Sequence, residues 1–284
     1  MRILISNDDG IYSPGILALA KAAKRFGEVR IVAPDVEQSS MGHAITASRP
    51  LRLKRVHLDS FEAHRVNGTP ADCVALGMHR WGHVDIVLSG INLGLNLGNS
   101  CWHSGTLAAA KQAALLGSRG IAFSTNVSDS REPDFTTLES YVVRVFELLL
   151  PIKTLSLVNV NLPEKPKGIR WTRQSVRHYD GKVVPDKDPA GRPIFWFTVT
   201  PLEGAAEGTD RWAVEHGWVS ITPLRLDLTD EADLARALAL SDNPPAKVSR
   251  KHRRRRSSSK SKSSSRGQKE RKEKRKTPVV ATNL

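Results

Sequence analysis

The chain has 284 residues, with 43 Lys and Arg against 29 Asp and Glu and a formal charge of +14. Residues 247–284 hold 16 basic and 2 acidic side chains, which leaves 27 of each sign in residues 1–246 and excludes a basic nucleic-acid platform as the character of the folded body. Cys73 and Cys101 form no CxxC pair, which argues against a disulfide framework or a thiolate zinc site. The apolar stretches are too short for a signal-peptide core or a membrane span, so the expected address is cytoplasmic with no membrane partner.

Residues 3–6 form a short apolar run that ends in Asn7-Asp8-Asp9-Gly10, the pattern of a buried strand opening into a polar loop. Ser13-Pro14 then predicts a helix start, with Ser as cap and Pro at the first helical position, and the apolar face runs up to Phe26-Gly27. Residues 29–33 read as the next strand. After an irregular stretch the alternation resumes: helix over 72–79, strand over 84–89, Ala/Leu-rich helix over 104–116, strand over 121–124, helix over 136–150 and strand over 156–161. About five parallel strands with crossover helices predict a doubly wound sheet. Beyond residue 165, alternating Phe195, Phe197 and Val199 among Pro/Gly turns predict antiparallel β arms, followed by a strand over 218–223 and a helix over 231–240. Pro244-Pro245 stops that helix, and the Arg/Lys/Ser-rich remainder has too little apolar surface to fold alone. The expected division is a body over 1–243, with β arms at about 165–225, and a disordered basic tail over 244–284.

Adjacent Asp8 and Asp9 at a strand end repel each other unless a cation or a shared proton neutralises them, so a divalent metal is the natural partner. Asn-Asp-Asp-Gly is also a good turn sequence, and the tetrapeptide alone does not separate the two readings. Two further loops leave the same sheet edge, Pro34-Asp35-Val36-Glu37-Gln38-Ser39-Ser40-Met41-Gly42-His43 and the Gly90 to Gly98 run, and bring Ser39 and Asn92 toward the Asp pair. The resulting all-oxygen set suits Mg²⁺ or Mn²⁺. Glycines 90, 94 and 98 fit neither GxGxxG nor a P-loop, which excludes dinucleotide and Walker-type sites. His103-Ser104-Gly105-Thr106 opens the Ala-rich helix, either as a plain Ser cap or as an anion site of amides and hydroxyls. A metal beside an anion site is the minimum equipment for hydrolysing a phosphate monoester.

Five segments in order closely resemble the SurE family of stationary-phase survival nucleotidases over roughly residues 1–240. They are Met-Arg-Ile-Leu-Ile-Ser-Asn-Asp-Asp-Gly, Val-Ala-Pro-Asp with Gln-Ser-Ser-Met-Gly-His, Asn-Gly-Thr-Pro-Ala-Asp-Cys, Ser-Gly-Ile-Asn-x-Gly-x-Asn-x-Gly and His-Ser-Gly-Thr. Trp171-Thr172-Arg173-Gln174 and Val219-Ser220-Ile221-Thr222-Pro223 look like further family segments, whereas Gly98-Asn99-Ser100-Cys101-Trp102 lacks an acidic residue that many relatives carry. The resemblance implies an α/β fold, a Rossmann-like three-layer parallel-sheet core with C-terminal antiparallel β arms and a terminal helix. It also implies a 5′-nucleotidase that removes phosphate from nucleoside 5′-monophosphates, and from 3′ esters too, by metal-activated water.

Carried over, the family's metal ligands, for one Mg²⁺ or Mn²⁺ per subunit, fall on Asp8, Asp9, Ser39 and Asn92, with Asp8 and Asp9 also catalytic. Its phosphate contacts fall on Asn96, Ser104, Gly105 and Thr106, and its arms imply a homodimer or homotetramer. An aspartyl-phosphate route is disfavoured because enzymes of that type use Asp-x-Asp. His43 and His103 stand as either proton donors or packing residues, and Trp102 as either a base-stacking ring or a lid. A reading of another class makes the tail a non-specific contact for nucleic acid or another polyanion, with the phosphatase fold secondary.

Overall fold

The computed structural model describes residues 1–126, 133–177 and 179–242. The tail expected to be disordered lies outside them. The chain divides into two units, Met1–Leu228 and Thr229–Leu284. Within the second, the described part is the expected terminal helix, which runs Glu231–Asp242.

The first unit is built on a nine-stranded sheet. Its central strands in chain order are β1 (Arg2–Ser6), β2 (Glu28–Pro34), β4 (Phe61–Val66), β5 (Ile86–Leu93), β6 (Arg119–Thr125) and β7 (Leu157–Leu162), all pairing in parallel. The third of these and its antiparallel neighbour β3 (Leu53–Leu58) occupy what the sequence reads as an irregular stretch. Their half-exposed, charge-bearing pattern hides them, because an edge hairpin needs no continuous apolar run. Counted in chain order, the six parallel strands lie across the sheet as 3-2-1-4-5-6, so the order reverses between β1 and β5. In open α/β sheets that reversal leaves a crevice beyond the strands' carboxyl ends, where ligands bind.

Alternation along the strands sends Ile3 and Ile5 to one face and Leu4 to the other. On the first face they join Ile16 and Leu19 of α1 (Pro14–Ala23) and Val142 and Phe146 of α4 (Phe135–Leu149). On the second, Leu4, Val32 and Val87 meet Val74 of α2 (Pro70–Trp81) and Ala109 and Ala113 of α3 (Gly105–Leu115). These are the three layers. Pro14 opens α1 as expected, but Ser13 makes no side-chain cap bond. Helix α2 begins earlier than its apolar period suggests, because Thr69 and Asp72 form a reciprocal capping box ahead of it.

The antiparallel region is more divided than the sequence implies. β8 (Gly168–Trp171) and β11 (Trp218–Leu224) extend the main sheet beside β7. Only β9 (Tyr179–Lys187) and β10 (Pro193–Pro201) form a separate two-stranded arm. Between the arm and β11 lies a short helix, α5 (Asp210–Glu215). Among the described residues, no helix is long and apolar enough to cross a membrane.

Candidate active site

The β1 loop is a turn and a chemical site at once. Asn7 Nδ2 donates to the Gly10 carbonyl at 2.9 Å and closes the Asn-Asp-Asp-Gly segment. The Asp8 carbonyl accepts from the Gln38 N–H at 2.8 Å, and the Gly42 N–H donates to the His103 carbonyl at 2.9 Å. The loops after β1, β2 and β5 therefore line one cavity of about 650 Å³, whose walls include Asp8, Asp9, Ser39, Asn92, Asn96 and Ser104. It lies at the reversal of strand order.

Asp8 is 5 % exposed, and its Oδ1 accepts from Thr106 Oγ1 at 2.6 Å. The Thr106 backbone N–H also donates to this carboxyl, yet burial still raises the Asp8 pKa. Gly105 allows this approach: a Cβ there would stand 2.7 Å from the Asp8 Cβ. Burial first, and the neighbouring Asp8 charge second, push the Asp9 carboxyl up to about 7, although the Leu93 N–H donates to it. Asp9 Oδ2 is buried with no hydrogen-bond partner among the described residues. Two close, desolvated carboxylates with an orphaned oxygen fit a hard divalent cation.

The other expected ligands are oxygen donors at the same cavity. Asn92 Nδ2 donates to the Gly94 carbonyl at 2.6 Å, which leaves its Oδ1 for a cation. Ser39 Oγ donates to Glu37 Oε1 at 2.6 Å, so both of its lone pairs stay available. No three His, Cys, Asp or Glu side chains among the described residues converge as a metal group, so a cation here needs the amide and hydroxyl oxygens.

The four residues expected at phosphate divide into two layers. Asn96 and Ser104 line the cavity. The Ser104 hydroxyl accepts from the Leu107 N–H at 3.0 Å and so caps α3, which keeps its proton free to donate. Gly105 and Thr106 lie behind, against Asp8, and the Thr106 hydroxyl is committed to that carboxylate. In this geometry the Thr106 hydroxyl holds Asp8, a contact the sequence does not signal, because a buried carboxylate claims the nearest donors. The plain-cap reading of Ser104 is met, and the cap leaves the hydroxyl proton that an anion site needs.

Asn96 is itself held from β7. Its N–H donates to Asn161 Oδ1 at 2.8 Å, and its carbonyl accepts from Asn159 Nδ2 at 2.8 Å and Asn161 Nδ2 at 3.0 Å. Its own Nδ2 donates to Ser124 Oγ at 2.8 Å. The only sign of this bracket in the sequence is Leu-Val-Asn-Val-Asn-Leu, which carries two amides at period two in a buried strand, where amides need partners. Asp210 was also missed. Wholly buried, it accepts from the Gly98 N–H at 3.1 Å and the Ser175 N–H at 2.9 Å, while Gln174 Nε2 donates to the Gly98 carbonyl at 2.7 Å. It comes from a distant helix start, and local spacing carries no sign of it.

The two histidines separate. His103 lines the cavity, whereas His43 Nε2 pairs with Gln112 Oε1 at 2.9 Å beside a second cavity of about 330 Å³. Trp102 borders that second cavity with Lys111 and is not on the wall of the first. The arm instead supplies Tyr179, Phe197 and Val199 to the first cavity, and the β2 loop supplies Glu37, whose charge also lifts both Asp pKa values slightly.

Residues 3–181 match the family model described as Survival protein SurE. Among curated proteins, the chain is 49 % identical over 237 residues to 5′-nucleotidase SurE 1 of Thermus thermophilus, covering 81 % of this chain and 93 % of that one. It is 45 % identical over 238 residues to 5′-nucleotidase SurE of Deinococcus radiodurans, covering 80 % and 88 % respectively. The crystal structure of the SurE protein from Aquifex aeolicus superposes with a TM-score of 0.74 at 40 % identity, covering 85 % of this chain and all of that one.

Proposed function

The chain belongs to the SurE family, and from that premise we propose that its cavity is the active site of a 5′-nucleotidase. The reaction cleaves the phosphate monoester of a nucleoside 5′-monophosphate to nucleoside and inorganic phosphate. The observation that carries this reading is the buried Asp8–Asp9 pair facing the start of α3 across one cavity at the reversal of strand order. Nothing in the comparisons favours a nucleic-acid-binding protein, and residues 244–284 take no step in the chemistry.

Asp8, Asp9, Ser39 and Asn92 would hold a single Mg²⁺ or Mn²⁺ per subunit. Such an ion offsets the paired negative charges and makes water more acidic. Asn96 and the Ser104 hydroxyl hold phosphoryl oxygens, and the positive end of the α3 dipole favours the anion. Water attacks phosphorus in line with the ester oxygen; the new P–O bond forms as the bond to the nucleoside breaks. One of the two aspartates accepts the water's proton, and His103, on the cavity wall, returns one to the leaving oxygen. Thr106 fixes the Asp8 carboxylate.

The exposed Phe195 and Trp196 toward the arm's hairpin end support pairing of subunits through the arm. The buried free thiols of Cys73 and Cys101 support a reducing, cytoplasmic setting. The nucleotidase reading is tested by release of inorganic phosphate from AMP with Mn²⁺ or Mg²⁺, which Asp8→Ala and Asp9→Ala are expected to abolish. Activity that survives either change under added Mn²⁺ contradicts the ligand assignment.

A further inference from the structure

The edge hairpin β3–β4 carries a cluster of cations that the nucleotidase chemistry leaves unused. We propose that Arg52, Lys54, Arg65 and Asn67 form a second anion site, outside the catalytic cavity, and that Asp35 beside them makes it selective for inorganic phosphate in its singly protonated, doubly charged form. The site does not depend on the nucleotidase reading.

Strand register brings the cluster together. Lys54 stands directly opposite Arg65, and Arg65 in turn is level with Ala33 of β2. Their neighbours Leu53 and Val66 join the core beneath α2, so by alternation Lys54 and Arg65 turn to the other face of the sheet. On that face the apolar core reaches Val56 and Ala63, and the next row is charged. Arg52 lies two residues on from Lys54, on the same face, and its backbone N–H donates to Asn67 Oδ1 at 2.7 Å. The Asp35 N–H donates to the Val66 carbonyl at 2.8 Å, which continues the ladder past Pro34 and sets Asp35 on the same side as Ala33. All five residues line one cavity of about 140 Å³.

The charges around this cavity are unbalanced. Like charges directly opposite each other across two strands destabilise a sheet, and Lys54 and Arg65 are such a pair. Among the described residues, no ion pair includes Lys54, Arg65, Arg52 or Asp35. Three cations therefore share one cavity with a single carboxylate, and a bound anion offsets their repulsion.

Donor chemistry and size indicate which anion. The Asn67 side chain spends its oxygen on the Arg52 N–H, which leaves both Nδ2 protons to donate, and two guanidinium groups with an ammonium suit the oxygens of a small oxyanion. A volume of about 140 Å³ lies well below the roughly 300 Å³ at which sites for whole organic ligands begin, and at about 30 Å³ per water it has room for one oxyanion and little solvent. Asp35 then discriminates among oxyanions. Its carboxylate repels an anion that carries no proton but accepts a hydrogen bond from one that does. At neutral pH the inorganic phosphate dianion keeps one proton, whereas sulfate and the dianion of an alkyl phosphate keep none and leave Asp35 facing a like charge.

The test is titration calorimetry on the full chain with inorganic phosphate, sulfate and methyl phosphate as probes, in chelator so that no metal draws phosphate into the catalytic cavity. Saturable binding of one phosphate per chain is expected, favoured about tenfold over sulfate and methyl phosphate. Lys54→Gln and Arg65→Gln are each expected to weaken phosphate about tenfold, and Asp35→Asn to let sulfate bind as well as phosphate does. Ser104→Ala, in the catalytic cavity, is expected to leave the phosphate affinity in place. Both glutamine variants remove a like-charge contact and should melt no lower than the unaltered protein in phosphate-free buffer, so their weaker binding does not reflect lost folding. No phosphate binding by the unaltered chain, binding that both glutamine variants retain in full, or binding that Ser104→Ala removes overturns the site. Sulfate or methyl phosphate bound as tightly as phosphate by the unaltered chain overturns its assignment to inorganic phosphate.

Discussion

Asp9 is where fold and chemistry conflict most directly. Its carboxyl stands at about 7 in the folded chain against 3.8 in an unfolded one, so between those values the folded state holds a proton that the unfolded state has released. This linkage stabilises the fold at low pH, fades as pH rises through the window and is lost above 7. In chelator, the melting temperature is therefore expected to fall from pH 6 to pH 8, and Asp9→Asn is expected to flatten the decline and raise stability at pH 8. Added Mn²⁺ should stabilise the unaltered protein at pH 8 and have little effect on Asp9→Asn. Scanning calorimetry across pH checks both, and a melting temperature that rises with pH in chelator contradicts the assignment. His103 makes a different prediction. If it protonates the leaving oxygen, His103→Ala should slow AMP hydrolysis by about 10²-fold and p-nitrophenyl phosphate hydrolysis far less, because nitrophenolate leaves without a proton. Equal losses on both substrates would assign His103 to binding.

At the scale of elements, the site depends on strands that never touch the substrate. β7 grips the Asn96 backbone through Asn159 and Asn161, and removing Asn161 leaves both the Asn96 N–H and its carbonyl short of a partner. Asn161→Ala is expected to cut kcat for AMP about tenfold or more while the Mn²⁺ midpoint for activation stays in place, as measured by metal titration of phosphate release. A shifted metal midpoint with unchanged kcat would place Asn96 in the metal site instead. This is also where the sequence was least legible. The Asp pair, Ser39, Asn92 and the Ser104 cap stand in compact motifs that single them out in the sequence, and the structure gathers them at one cavity. Thr106 sits in such a motif too, but only folding reveals that its hydroxyl serves Asp8. Asn159, Asn161 and Asp210 act across 63, 65 and 112 residues of chain, through bonds that no local pattern encodes. The hairpin β3–β4 escaped notice for a simpler reason: its edge strands are too polar to stand out.

For the molecule as a whole, strand order does most to explain where the chemistry occurs. The alternation of strands and helices predicts a parallel sheet, and the 3-2-1-4-5-6 order places the ends of β1 and β5 on either side of its crevice. Asp8 and Asp9 follow one, and Asn92 is the penultimate residue of the other. The charge of +14 belongs to residues outside this framework. Removing residues 244–284 is expected to leave kcat/KM for AMP unchanged, and a loss of activity would show that the catalytic body does not stand without them. The proposed nucleotidase activity requires a bound divalent cation and the Asp8–Asp9 pair to act together in this cavity. Its most direct test is phosphate release from AMP by the purified full chain, titrated with Mn²⁺ after exhaustive chelation. Saturable, metal-dependent release that Asp8→Ala and Asp9→Ala both lack is expected, and release that persists undiminished in chelator would rule out a metal-dependent site.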